Sequence, residues 1–357
     1  MANIIIGMRL GLSPRNSKQS STSNESQSQA LAISSDSPRL IKHVYDAQDQ
    51  IFRTVMRAAG SSVLVIMAMV GIFLALRASE ALGKVGLGFF TIQAWEPDSG
   101  NFGIAAVIAG TVIIAVIAVS IAVPFSLGTA LYISEYAPRR IKKFLITLVD
   151  LMAAIPSVVF GLWGFFYLQN EITPVAKWIS QNFGWIPFLS VQGSDPNDPL
   201  TSNTIFTSSS LIAGIVVALM ITPIVTSVMR EVFSQAPIGE REAALGLGST
   251  HWGMVRNVVL TFGKGGIIGA TMLGLGRALG ETIAVYMIIS PVFVIQPRIL
   301  ENGANSVSSL IALRYGEATQ MGMSALMAAG LALFILTLIV NFVASSIVAR
   351  SRSGASS

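Results

Sequence analysis

Two charges stand where charges are costly. Arg277 and Glu281 lie four residues apart inside the stretch 265–290, which holds no other Asp, Glu, Lys or Arg. That interval puts both side chains on one face of a helix, about one turn apart. Counting from Lys264 at about 1.5 Å per residue sets Arg277 roughly 20 Å into the stretch, near the middle of a bilayer. Each charge there costs about 2.5–3.5 kcal/mol on insertion scales, so neither is expected to face lipid. A guanidinium stays charged at any working pH, and its planar fork grips tetrahedral oxyanions. With Glu281 beside it the local charge is near zero, so an oxyanion would be held weakly. Weak holding suits passage, because a tight site traps what it binds. A salt bridge that only fixes packing is the plain alternative. Gly276 and Gly280, in G-x-x-x-G spacing, predict that a second helix approaches closely at this pair.

Positioning such a pair requires membrane-spanning helices, and the composition supplies them. Hydrophobic residues make up 52% of the 357 positions and charged residues 11%, where a water-facing domain carries about 25% charged. Six apolar stretches, at 58–76, 103–134, 144–168, 205–229, 265–290 and 318–349, are long enough to span. Pro124 predicts a bend in the second, and Asp150 and Pro156 interrupt the third. Asp150 is expected to reach back to the basic cluster that ends at Lys143. Seventeen of the 23 Lys and Arg fall on one side of these spans and five on the other, with Arg277 inside. The positive-inside rule then sets both termini in the cytoplasm. Residues 1–57 form a polar tail, rich in Ser, Gln and Asn over 13–38, and are expected to be disordered. The transmembrane region runs over 58–350, and residues 351–357 are a short cytoplasmic tail.

The net charge of +5 follows this topology and argues for no nucleic-acid partner. The chain has no Cys and only two His, His43 and His251, which excludes thiolate chemistry and leaves no basis for a metal centre. The spacing G-x-x-x-x-G-K-[ST] is absent, so the chain carries no P-loop for ATP. An intramembrane enzyme would need a nucleophile or metal cluster in the spans, and the sequence offers none.

Between the fourth and fifth spans lies a polar segment, 230–264, too long for a tight turn. Glu242-Ala243-Ala244 leads to Gly248, a natural helix end, and Glu240 or Glu242 suits the dipole at the helix start. The pattern predicts a short helix closing near Gly248 and a second piece running into span five. An interfacial helix that merely joins two spans would look the same. Two alanines and a glycine permit a close partner, with Arg241 and Glu242 free to pair at its rim. Trp252 is a lipid anchor or a packing residue, and His251 reads as a polar surface residue.

The run Glu242-Ala243-Ala244, then Gly248, then Val258-x-Leu260 resembles the EAA loop of ABC importer permeases, although Thr261 stands where that family usually has Pro. GLGRALGETIAV at 274–285, IPSVVFGLWG at 155–164 and ISEYAPRR at 133–140 together resemble the PstC-type permease of the phosphate-specific ABC importer. The resemblance covers about residues 58–350. It implies an all-α, type I ABC permease bundle of six helices in a bacterial inner membrane. Glu242, Ala243, Ala244 and Gly248 would dock on a partner ATPase, and Arg277 and Glu281 would line the substrate pathway. It further implies a PstA-type permease as heterodimer partner, two PstB-type ATPases holding ATP and Mg, and a periplasmic PstS-type phosphate-binding protein. The chain itself would hold no cofactor and catalyse nothing. A permease for sulfate or molybdate is the nearest alternative. The expected mechanism is alternating access, with ATP-driven closure of the ATPases swinging span five through the docked loop.

Overall fold

The computed structural model describes residues 47–192, 198 and 201–353. The polar stretch 13–38 and His43 lie outside the described residues. The chain divides into two units, residues 1–64 and 65–357. In the first, residues from Ala47 onward are helical, and exposed from Gln48 onward, forming the start of α1 (Ala47–Val85). This corrects the end of the expected tail, since residues 47–57 belong to the helix. Asp49 in the first turn suits the helix dipole and pairs with Arg53 at 3.5 Å, the favourable acid-before-base order.

The second unit is built on two helices that touch through small residues. α2 (Ala105–Leu131) and α6 (Ser210–Ser234) bury Ala115, Ala118 and Ala122 against Ala213, Val217 and Ala218. Gly214 of α6 lies so close to Ile117 that a Cβ there would clash. Lipid is as apolar as leucine, so such helices adhere by close packing and by the occasional interhelical hydrogen bond. Here Ser126 donates to the Thr222 carbonyl at 3.0 Å. α2 runs unbroken through Pro124 and closes in a π-helical turn, Tyr132–Tyr136.

Before α2, a two-stranded hairpin (β1, Trp95–Glu96; β2, Asn101–Phe102) turns through Gly100 at φ +80°. Phe89 and Phe102 pack there with Ala78 and Ala81 of α1. After α2 come α3 (Arg139–Ala153), which is amphipathic, and α4 (Ser157–Trp163), continued through a π turn into α5 (Gln169–Phe183). The third apolar stretch is therefore no single rod. It breaks ahead of Pro156, and its two arms meet at 86°. Proline disfavours helix in the residue before it, and the four basic residues of α3 hold that arm in a polar setting. Asp150 makes no ion pair with the basic cluster. It accepts a hydrogen bond from Ser227 of α6 at 3.1 Å.

α7 (Ile238–Gly246), α8 (His251–Met254) and a π turn (Val255–Val259) lead into α9 (Leu260–Gly280). Three glycines of α9 face α6. A Cβ on Gly263 would fall 2.6 Å from Phe233, one on Gly274 2.7 Å from Val225, and one on Gly266 would strike Val232. The close helix approach lies on this face rather than at Gly276 and Gly280. Past a break come α10 (Ile283–Ile288), α11 (Val307–Arg314), capped by a Ser306–Ser309 box, and α12 (Gln320–Ser353). Among the described residues five helices are long and apolar enough to cross a membrane, or six if the bent pair is one span.

Candidate functional site

The helix carrying Arg277 ends sooner than its composition suggests. α9 stops at Gly280, and Glu281 is already extended (φ −66°, ψ 127°). Glycine is a poor helix former, and the residues after it find other uses for their polar groups. The Glu281 carboxylate accepts from Ala284 N, satisfying a donor at the start of α10, while its carbonyl accepts from Ser308 Oγ at 2.8 Å. Glu281, at the helix end, thus directs its carboxylate to the start of α10. Among the described residues Arg277 has neither an ion pair nor a side-chain hydrogen bond, so the expected pair is corrected.

Arg277 instead lines a cavity of about 340 Å³ between three spans. Ile224 comes from α6, Met272, Leu273 and Gly276 from α9, and Thr337 and Asn341 from α12. Asn341 Oδ1 lies 3.6 Å from where a Gly276 Cβ would be, so Gly276 makes room for the amide. Glu281 is not part of this lining. Arg277 also occupies the last turn of α9, where unpaired carbonyls favour a cation. The cavity thus offers one fixed positive charge, an amide and a hydroxyl in an otherwise apolar setting. That set suits a small oxyanion. Asn341 and Thr337 escaped the sequence reading, although an amide deep within the last apolar stretch was the signal that could have marked them.

The second candidate region is α7. No residue of this helix is buried, and Glu242 and Ala243 face outward with Ile238 (72% exposed) and Leu245 (44%). Leu247, just past the helix, is 89% exposed. Gly248, at φ +86°, closes the helix as the sequence predicts. Its N–H reaches the Leu245 carbonyl while Ser249 N reaches that of Ala244, a Schellman end that needs a left-handed residue. Ala244 is half-buried, packed on a cluster that includes Met229, Phe233 and Met254. Arg241 does not turn to the outer rim. It points inward, pairing with Glu135 at 3.1 Å and donating to the Phe233 carbonyl. His251 packs edge-on against Tyr136, ring centroids 4.7 Å apart, and Trp252 stays exposed.

Residues 122–353 match the model for the binding-protein-dependent transport system inner membrane component family. The chain is 39% identical over 311 residues to a Mycobacterium tuberculosis protein, the phosphate transport system permease protein PstC 2, covering 86% of this chain and 93% of that one. It is 43% identical over 281 residues to PstC of Mycobacterium leprae, covering 77% and 85%, and 36% identical over 303 residues to PstC of Xylella fastidiosa, covering 85% and 91%. Its fold resembles that of a chain of a bacterial alginate ABC transporter solved with a periplasmic protein (TM-score 0.56, 14% identity, covering 85% and 96%). The chain belongs to the PstC family of phosphate transport permeases, within the inner-membrane components of binding-protein-dependent transport systems.

Proposed function

We infer that this chain is the permease subunit of an ATP-driven inorganic phosphate importer and forms half of its translocation pathway. One observation carries the reading. Arg277, without a counterion among the described residues, lines a cavity between three spans in a chain whose relatives are phosphate permeases. In the pathway Arg277 meets the phosphate oxyanion through charge-assisted hydrogen bonds. One guanidinium with an amide and a hydroxyl is a sparse donor set, so the anion is passed on rather than retained. Nothing in this chain hydrolyses ATP. ATP and Mg belong to a PstB-type ATPase pair, a PstA-type permease completes the pathway as heterodimer partner, and a PstS-type binding protein delivers phosphate outside.

Coupling runs through α7. Glu242, Ala243 and Ala244 form the docking segment with Gly248 at its end, and the exposed Ile238, Leu245 and Leu247 supply apolar contact to the ATPase. ATP-driven closure of the ATPases moves α7 and opens the cavity toward the binding protein, and hydrolysis resets it. The test is phosphate uptake in cells lacking their own high-affinity system, with the chain and its partner subunits supplied and sulfate and molybdate as competitors. Phosphate uptake that is lost in Arg277→Gln and in Glu242→Arg, at equal membrane abundance, supports the reading. Uptake of sulfate or molybdate in its place keeps the architecture and overturns the substrate.

A further inference from the structure

The route by which α7 moves the spans is not the one that chain connectivity suggests. Along the backbone, a push on α7 reaches α9 only after the left-handed corner at Gly248, the four-residue α8 and the π turn Val255–Val259. Each is a place where a displacement can be absorbed; π turns in particular are sites of local adjustment. A shorter route exists through one side chain.

The Arg241 guanidinium joins three elements. Its Nη1 pairs with Glu135 Oε2 in the π turn that closes α2, and its Nη2 donates to the Phe233 carbonyl, one of the last of α6. The Glu135 side chain is only 3% exposed and that of Arg241 20%. The other carboxylate oxygen, Oε1, accepts from Ser134 Oγ at 2.6 Å, and the Ser134 carbonyl accepts from Lys142 Nζ. A buried carboxylate with both oxygens engaged is stiff, and separating its partner strands a charge in a low-dielectric setting. The Phe233 carbonyl, which already accepts from Ala236 N at 3.2 Å at the helix end, takes Arg241 as a further donor. α2 and α6 are themselves packed through alanine and glycine, so they move as one body.

We propose that Arg241 and Glu135 are the positioning pair that carries the ATPase stroke from α7 directly into α2 and α6, so that these helices, and not α9 alone, reshape the Arg277 cavity. Ile224 of α6 then moves relative to Thr337 and Asn341 of α12 across that cavity. The proposal rests on reading α7 as the ATPase-docking helix, and the experiment separates the two.

The full importer, with both permeases, the ATPases and the binding protein, is reconstituted in proteoliposomes. Phosphate delivered per ATP hydrolysed is measured beside co-purification of the ATPase. Glu135→Gln is expected to retain the ATPase and its hydrolysis while phosphate per ATP falls about tenfold, a loss within the usual range of site-to-site coupling. The phosphate concentration at half-maximal uptake stays unchanged. Glu135→Asp recovers part of the ratio, and the exchange Glu135→Arg with Arg241→Glu recovers more than either single change. A Glu135→Gln importer that assembles and keeps the wild-type ratio overturns the proposal. Where that variant does not assemble, Ser134→Ala and Arg241→Lys loosen the same contacts while keeping the charges, and an unchanged ratio in both overturns it equally. If instead Ile238→Asp with Leu247→Asp leaves ATPase co-purification intact, the docking reading itself fails and the proposal with it.

Discussion

Two arginines of this chain are used in opposite ways. Arg241 is spent on the protein, with a carboxylate and a helix-end carbonyl both within reach. Arg277 sits in apolar surroundings with no such partner among the described residues, beside an open cavity. Burying a guanidinium without a counterion opposes folding, so the partly buried Arg241 is partnered, whereas Arg277 is exposed in this chain and bears no such cost. An unpartnered one within a span is a group kept available. The contrast separates the two arginines better than position alone, since both lie near the same helix, α6, and it agrees with the roles proposed for them.

The largest test of that contrast is Arg277→Gln. Loss of the fixed charge should lower phosphate uptake roughly 100-fold, the scale of removing a preorganised oxyanion donor, with the complex still assembled. Uptake within about threefold of wild type would show that the cavity is not on the pathway. Arg241→Gln should do the reverse, leaving the cavity intact but lowering permease stability by about 3 kcal/mol, because Glu135 stays buried without its partner. Thermal unfolding of the detergent-solubilised complex reads this, and an unchanged midpoint would put the ion pair among the neutral ones. Gly274→Ala should cost about 1–3 kcal/mol by driving a methyl into Val225, whereas Gly276→Ala should cost little, its nearest neighbour being 3.6 Å away. Equal effects at the two glycines would contradict the packing face described for α9. Asn341→Leu is the smallest, a fall in uptake of about fivefold from one lost neutral hydrogen bond, with stability kept. No change in uptake would leave Arg277 without help from the amide.

Much of this was legible in the sequence because membrane helices announce themselves by length and scarcity of charge. The helix ending at Gly248 was readable for a local reason, since its end depends on residues adjacent in the chain. The break at Gly280 was not, because the apolar run continues through Ile283–Ile288 and hydropathy does not register a two-residue interruption. At that interruption the Glu281 carboxylate takes the Ala284 N–H as its partner, and spacing alone had paired it with Arg277. The 86° turn ahead of Pro156 was visible as a proline but not as an angle. Glu135 stood in plain view within ISEYAPRR, yet its partner lies 106 residues away, and nothing local to either residue reports such a contact. Asp150 misled for the opposite reason. Its basic neighbours in sequence were nearer than Ser227, but the fold turned it toward α6.

The early end of α9 also bears on how the chain is made. A nascent helix must enter the bilayer before its final neighbours exist, and an arginine within it resists that step by up to about 2.5–3.5 kcal/mol. Because α9 stops three residues after Arg277, the unpaired carbonyls of its last turn travel with the charge and offset about 0.3–1 kcal/mol of that resistance. The cation brings part of its own compensation, supplied by backbone and independent of any second subunit. Partitioning of α9 segments at the translocon should therefore worsen when Gly280→Leu and Glu281→Leu extend the helix, despite the added hydrophobicity, and improved insertion would refute this. Under the proposed function, biogenesis of the permease can then precede assembly, with the Arg277 cation installed before any partner subunit is recruited.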